Sequence, residues 1–534
     1  MSRTLSVLLF VLCASVAYAQ DRSSDLPDVL VPSSIMEMDP ITVEETKYGI
    51  PAEEEQASSF DEVALPELGV LEIKEPILPY KLPGSDILYP SGAKDSSLAA
   101  EAVFGIGLRN QLAGSLLFYR FGTLPGFEFR YDHESLDGFS AQAAGSSYYG
   151  RRDSLSFSVN SDFGSLVLGA RGSIADDEAG LQNNATFDSR IHRLAELEID
   201  ASYLFRDLFR LSLKPQIAGS TLHLKGENPE RYSELLTGAD FLAELFFDKF
   251  KVGLASDYGF RTLITSTDET LDFGLHRVNA QLLFGVELPL GLRVDGRGGW
   301  SYSTDMDHGY AFTVGITGTP HTLLSFGVVG GYRIIPLDLY DIFTEYDLVD
   351  IPTSLIDNRG WYGSLEGTIT ILRNMSARVG FGLAWNSAQP YPDSYDDARG
   401  FFPLLLENVV SLEPELGFSW SIADIIDLGV SWQGRFYDDT SLYPWNRIQV
   451  LASGTDPADR FGGGLEALLV LGPNRDTFVP EIDLDGFYRL SKSIKVIAEA
   501  SDLLSPLLAD AIRYTWSPYQ DVGIRATLKI QIGL

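Results

Sequence analysis

The sequence predicts an all-β protein: a transmembrane antiparallel β-barrel of about 22 strands, preceded by an extended, Pro-rich acidic segment. Three observations predict it. Apolar and polar residues alternate in runs of about nine or more, long enough to cross a bilayer at a tilt and longer than the ~5–6 residues usual in globular strands. Tight and long connections take turns along the chain, as short periplasmic turns and longer outer loops do. Hydrophobic residues make up 45% of the 534 and aromatic ones 12%, yet no stretch past the leader approaches the ~18 consecutive apolar residues of a spanning helix.

The elements follow in chain order. Residues 1–19 read as a signal peptide: Arg3 is the positive start, Leu5 to Val16 the apolar centre, and Ala17-Tyr18-Ala19 the small-x-small cleavage pattern. The mature chain is expected to begin at Gln20. The sole cysteine, Cys13, raises the alternative of a lipoprotein cut, but Leu12 is too bulky for the usual small residue before it. Without cysteine the mature chain has no disulfide staples. Residues 20–97 form one acidic stretch, with 17 acidic and 5 basic residues between Asp21 and Ser97, a net of −12, and prolines from Pro27 to Pro90. Such a segment buries too little to offset its chain entropy, so it is expected to be extended except where it docks.

From Leu98 to Leu534 the alternation takes over. Phe127, Phe129, Tyr131 and His133 share one face while Glu128, Arg130, Asp132 and Glu134 share the other, because side chains in a strand switch sides at every residue. Leu197, Ile199, Ala201 and Tyr203 oppose Glu196, Glu198, Asp200 and Ser202. Leu292 and Val294 oppose Arg293, Asp295 and Arg297; Ile494, Val496 and Ala498 oppose Lys495 and Glu499; and Leu528, Ile530 and Ile532 oppose Arg525, Thr527, Lys529 and Gln531. Strands are placed near 99, 111, 127, 153, 166, 191, 208, 234, 250, 273, 291, 309, 322, 359, 375, 405, 426, 446, 462, 478, 493 and 521. If the weakest runs drop out, the number falls towards 18. Tight turns are expected at 206–207, 248–249, 288–290, 373–374, 423–424 and 491–492, and long outer loops at 135–152, 334–358, 387–402 and 503–520. With entry from the periplasm, all four long loops fall on the outer side.

The last stretch, Ala500-Ser501-Asp502-Leu503-Leu504, a loop with Tyr514 and Tyr519, and a final strand to Leu534, resembles the end of the TonB-dependent receptors, whose barrels have 22 strands. Asp39, Pro40, Ile41, Thr42 and Val43 resemble a TonB box, the strand those receptors lend to TonB. The resemblance implies a transporter coupled to TonB. It does not extend to the family's plug domain of well over a hundred residues, which residues 20–97 are too few to supply.

Chemistry motifs are nearly absent, so no enzyme and no cofactor are expected. The six histidines show no metal-ligand spacing, and no nucleophile elbow appears. His308 beside Asp305 and Asp307 is a catalytic candidate weighed against a solvated loop histidine. Acidic loop clusters, Asp338, Asp341, Glu345, Asp347 and Asp350, or Asp393, Asp396 and Asp397, suit Ca²⁺ or bridging of lipopolysaccharide, against plain loop solubility. A net charge of −34 excludes nucleic acid as a partner, since phosphates would be repelled.

The inward charges carry most of the functional reading. Glu128, Arg130, Glu196, Glu198, Asp200, Arg210, Lys214, Arg293, Asp295, Arg297, Glu481, Asp483, Lys495, Glu499, Arg525 and Lys529 suit a hydrated lumen and would be costly against lipid. They either cross-link the wall or line a solute path. The primary expectation is an outer-membrane channel or transporter for an unidentified solute, with part of residues 20–97, chiefly 65–90, threaded into the lumen as an occluder. The alternative is a barrel that only anchors an N-terminal segment for a periplasmic partner. Outer-membrane lipid, the barrel-assembly machinery and TonB or another periplasmic protein are the expected partners.

Overall fold

The computed structural model describes residues 98–533 apart from 121–125, 266–274, 351–355, 440–444, 473–478, 508–513 and a few further loop positions. The signal peptide, the Asp39 to Val43 box and the occluding segment therefore lie outside the described residues.

Twenty-two strands run antiparallel to their neighbours and close on themselves. The first half comprises β1 (Leu98–Gly107), β2 (Leu112–Arg120), β3 (Gly126–Asp137), β4 (Tyr149–Asp162), β5 (Leu166–Gly180) and β6 (Phe187–Phe205). It continues through β7 (Phe209–Gly226), β8 (Glu230–Phe246), β9 (Phe250–Thr265), β10 (Leu275–Leu288) and β11 (Leu292–Ser303). The second half has β12 (Asp307–His321), β13 (Leu324–Ile335), β14 (Asn358–Leu372), β15 (Met375–Pro392), β16 (Leu404–Ile422) and β17 (Ile426–Tyr437). Then follow β18 (Trp445–Thr455), β19 (Phe461–Leu471), β20 (Glu481–Ser491), β21 (Ile494–Ser501) and, after a separate hairpin β22 (Tyr514–Trp516) and β23 (Tyr519–Gln520), the last wall strand β24 (Arg525–Gly533). Pairing of β1 with β24, Ala102 opposite Ile532 and Ile106 opposite Leu528, closes the ring. Closure satisfies every edge within the wall, which hydrocarbon demands because it offers no hydrogen bonds to a bare strand.

Each of the 22 expected strands is present. The tight turns also fall where the alternation placed them; at Leu288 to Leu292 the chain reverses through Leu290 and Gly291, with φ of 67° and 66°. The strands run farther into the outer loops than expected. β3 reaches Asp137 and β15 reaches Pro392, because polar residues keep pairing once the wall rises into water. Loop polarity marks the water boundary, whereas backbone pairing continues past it.

The outward face is apolar and exposed: Leu282, Phe284, Val314, Ile316, Phe381, Leu383, Leu528 and Ile530 each keep 40% or more of their surface open. In water such a continuous band would drive aggregation, and in a bilayer it is the lipid face. Trp300, Tyr302 and His308 stack on that face as an aromatic girdle, and Trp300 Nε1 donates to His308 Nδ1 at 3.1 Å. His308 thus stands in the girdle, while its candidate partner Asp305 lies outside the described residues. The wall is lopsided. β6 to β9 have 19, 18, 17 and 16 residues, well beyond the ~9–11 that cross a bilayer, while β1, β2, β21 and β24 have 10, 9, 8 and 9.

Candidate functional site

The apolar core of the described residues lies in a cap over the outer mouth. Its centre is a short helix, α1 (Leu339–Glu345), in the loop between β13 and β14. Asp338 precedes it and accepts the Asp341 N–H at 2.8 Å, filling one of the donors that a helix start leaves unpaired. Leu337 before the cap and Ile342 in the next turn are both buried, the arrangement of a hydrophobic staple. Leu339, Ile342 and Phe343 form one apolar stripe. It packs with Leu181, Phe187, Leu222, Leu224, Leu263, Phe401 and Phe402.

This core joins distant arcs of the ring. Asn184, between β5 and β6, donates to the Gly400 carbonyl at 2.9 Å and to the Tyr519 hydroxyl at 3.0 Å. Gly400 belongs to the loop between β15 and β16, about ten strands away, and Tyr519 to β23. Three loops from separate arcs therefore meet across the mouth.

Lumen-facing groups at the top of the wall hold the cap down. The Tyr340 N–H donates to Glu234 Oε2 at 3.0 Å and its hydroxyl to Glu196 Oε2 at 3.4 Å. Arg261 Nη1 donates to the Leu337 carbonyl at 2.5 Å, and Arg277 Nη2 lies 2.7 Å from Asp357 Oδ1. Arg399 bridges two carboxylates: Nη1 and Nη2 reach Glu230 at 2.8 and 3.0 Å, and Nε and Nη2 reach Asp350 at 3.0 and 3.1 Å. These bonds raise the Arg399 pKa further above its already high value. Burial pushes the Asp338 carboxyl up, against the Asp341 N–H and the nearby Arg261 and Arg277. Burial and then Glu196 push the Tyr340 hydroxyl up to about 12.

In the first acidic loop cluster Asp338 and Asp350 are engaged by the protein rather than merely solvated, and Asp347 lies outside the described residues. Asp338 caps a helix and Asp350 is ion-paired, and no group of three or more metal-ligating side chains exists among the described residues. Asp396 and Asp393 serve a tight backbone turn, through Gly400 N–H to Asp396 O at 2.7 Å and Asp393 N–H to Pro403 O at 2.8 Å.

The sixteen inward charges fall into two sets. On the tall arc and around to β11 they remain wetted and paired: Glu198 with Arg171 at 2.8 Å, Asp200 with Lys214 at 3.3 Å, Arg210 with Glu244 at 3.8 Å, and Arg293 with Asp295 at 2.7 Å. Glu196 joins the cap, Arg130 binds Asp132 at 2.7 Å, and Arg297 shares its strand face with Arg293. Glu128 is exposed on β3. On the seam, Asp483 accepts the Asp502 N–H at 2.9 Å and Glu481 starts β20. Lys495, Glu499, Arg525 and Lys529 are buried. Lys529 Nζ lies 2.7 Å from Glu499, which also accepts from Thr527, and Lys495 Nζ sits 4.0 Å from the centre of the Phe487 ring. Sequence reasoning missed Glu230, Glu234, Arg261, Arg277, Tyr340, Asp357 and Arg399. The helical spacing of Leu339, Ile342 and Phe343 behind Asp338 was the available signal.

No protein-family model matches the sequence, and no curated protein sequence matches it. Solved structures do match the fold. The FrpB iron transporter from Neisseria meningitidis superposes with a TM-score of 0.63 at 9% identity, over 83% of this chain and 82% of its own. The copper transporter OprC gives 0.61 at 11% identity over 82% and 80%. The siderophore receptor PirA from Pseudomonas aeruginosa gives 0.59 at 8% over 82% and 80%. The barrel is therefore of the 22-stranded kind found in TonB-dependent receptors of the outer membrane, and the resemblance stated from the C-terminal residues holds at the level of fold.

Proposed function

We propose that the chain is a gated outer-membrane transporter for an unidentified solute, with the Glu196 to Lys214 arc of the lumen on its path and Asp39 to Val43 as the TonB-coupling strand. The observation that carries this reading is the cap, in which three outer loops meet across the mouth and are tied to lumen-facing Glu230, Glu234, Arg261 and Arg277. A barrel serving only as an anchor has no need of a closed mouth, whereas a transporter must close a wide lumen against leakage. The fold shared with proteins described as iron and copper transporters supports the same reading.

Residues 20–97 are the part of the chain available to fill the lumen below the cap. The test combines both ends: conductance in planar bilayers for the full chain, for a form lacking residues 20–90 behind an intact signal, and for a form whose cap is opened by Phe402→Ala. The full chain is expected to conduct little and the doubly altered form most. A double form that folds but conducts no more than the full chain overturns the transport reading.

A further inference from the structure

On the outside of the tall wall the chemistry changes abruptly from one register row to the next. Across β3 to β7 the top of the apolar band is the row Tyr131, Leu155, Ile174, Ala195 and Gly219. One outward step higher, the row is His133, Asp153, Asp176, Arg193 and Thr221. The next is Ser135, Arg151, Glu178, Ile191 and His223, with Arg231 opposite His223 on β8 and Lys225 above it on β7. These residues share the lipid-facing side of their strands, so they stand where the headgroups of the outer leaflet begin. On the far wall the corresponding rim is aromatic, with Trp361 and Trp385 exposed.

We propose that this sector binds the phosphorylated sugar headgroup of an outer-leaflet glycolipid, with Arg151, Arg193 and Lys225 as the phosphate-binding groups. Each cation is held from one side by a carboxylate. Arg151 Nη2 lies 2.7 Å from Asp153, Arg193 Nε 2.7 Å from Asp176, and Lys225 Nζ 2.8 Å from Glu178. Asp153 is itself fixed by the Tyr131 hydroxyl at 2.8 Å and His133 Nδ1 at 2.7 Å. The side chains are thus pre-positioned yet open: those of Arg151 and Arg193 remain 59% and 61% exposed, leaving guanidinium N–H groups free to meet phosphate oxygens in pairs.

Charge supports the assignment. The chain carries −34 overall and would repel phosphate from most of its surface, but here Arg151, Arg193, Lys225 and Arg231 offset Asp137, Asp153, Asp176 and Glu178. The mixed row also suits a sugar, whose hydroxyls need both donors and acceptors. A free phosphate has no reason to sit directly above an apolar band, whereas a lipid anchored in that band presents its headgroup at this height. The inference rests on the outer-membrane fold and is independent of the transport reading.

Native mass spectrometry of the full chain in detergent tests it, with diphosphorylated lipid A, its dephosphorylated form and inorganic phosphate as three probes. The diphosphorylated lipid is expected to be retained, and R151S/R193S/K225S to lower retention about tenfold, as loss of charge-assisted phosphate contacts implies. R171S, whose side chain pairs with Glu198 on the inner face, is expected to leave it unchanged. Heat-modifiable gel mobility verifies that each barrel is folded, and should the triple variant not fold, R193S alone is expected to lower retention about threefold. Equal retention by the folded variants, or of the dephosphorylated lipid, overturns the proposal. Displacement of the lipid by millimolar phosphate would make this a free-phosphate site and overturn the glycolipid assignment.

Discussion

In the membrane band of the wall, Leu282, Val314 and Leu528 point outward and stay exposed, while Arg293, Asp295 and Lys214 point inward. In the cap, Phe187, Leu339 and Phe402 are fully buried and the charges, Arg399 with Glu230 and Asp350, stand towards the rim. The wall borrows its apolar phase from lipid and the cap must make its own. A substitution is therefore damaging in opposite places: a charge at an exposed position of the wall, a cavity at a buried position of the cap.

The largest effect is expected inside the cap. Phe402 has no exposed surface, and Phe402→Ala should cost the cap ~3–5 kcal/mol through lost burial and the cavity left behind. The wall's hydrogen bonds do not depend on this side chain, so heat-modifiable mobility should be unchanged while protease cleavage of the outer loops on intact cells rises. Cleavage equal to that of the parent would mean that the cap does not fold as a unit.

On the wall, Leu528→Arg should cost ~2–4 kcal/mol of folding stability, the effect of a cation at mid-membrane on the lipid face. The neighbouring Thr527 looks like a natural inward control, but it is buried and donates to Glu499 at 3.1 Å, so an Arg there would be forced into a packed site. Thr317 is the better control, exposed on the inner face of β12 between outward Ile316 and a polar neighbourhood. Thr317→Arg is expected to refold into lipid vesicles with the parent's yield. Similar yields for the two Arg variants would mean that inward and outward faces are wrongly assigned.

The wall was almost wholly legible because a period of two leaves its mark on every strand, and no long-range information is needed to read Leu528, Ile530 and Ile532 against Thr527, Lys529 and Gln531. Strand ends were less legible. Beyond the membrane, Asp176, Glu178 and Arg193 keep pairing although both faces are polar, so alternation of apolarity vanishes while the sheet continues. The cap was mostly hidden, since its contacts join Asn184 to Gly400 and Arg399 to Glu230, pairs separated by 216 and 169 residues. Seven residues of helix buried in an acidic loop leave too short a period to stand out. Burial along the seam is hidden for a related reason: nothing local distinguishes the buried Lys529 from the more open Lys214.

A smaller effect is expected at the rim of the cap. Arg399→Ala removes the bridge between Glu230 and Asp350, both still partly wetted, so the cost should be about 1 kcal/mol, less than for a fully buried pair. That changes the ratio of open to closed cap about fivefold. Loop cleavage should rise above the parent but stay below Phe402→Ala. If it equals that of Phe402→Ala, the ionic tie and not the apolar core holds the mouth closed.

The smallest structural effect, and the sharpest on function, is expected at Lys214. It lies 3.3 Å from Asp200, with both side chains about two-fifths exposed to the lumen (42% and 38%). Water screens such a pair, so Lys214→Ala should change stability by less than about 0.5 kcal/mol. Its removal nonetheless leaves Asp200 and Glu198 as a more negative stretch of the inner wall, and a wetted path lined by one sign of charge favours ions of the other. In the doubly altered background, lacking residues 20–90 and carrying Phe402→Ala, the reversal potential under a KCl gradient should shift towards the potassium value when Lys214 is replaced. An unchanged reversal potential with normal folding would remove the Glu196 to Lys214 arc from the solute path, leaving those charges as cross-links of the wall alone.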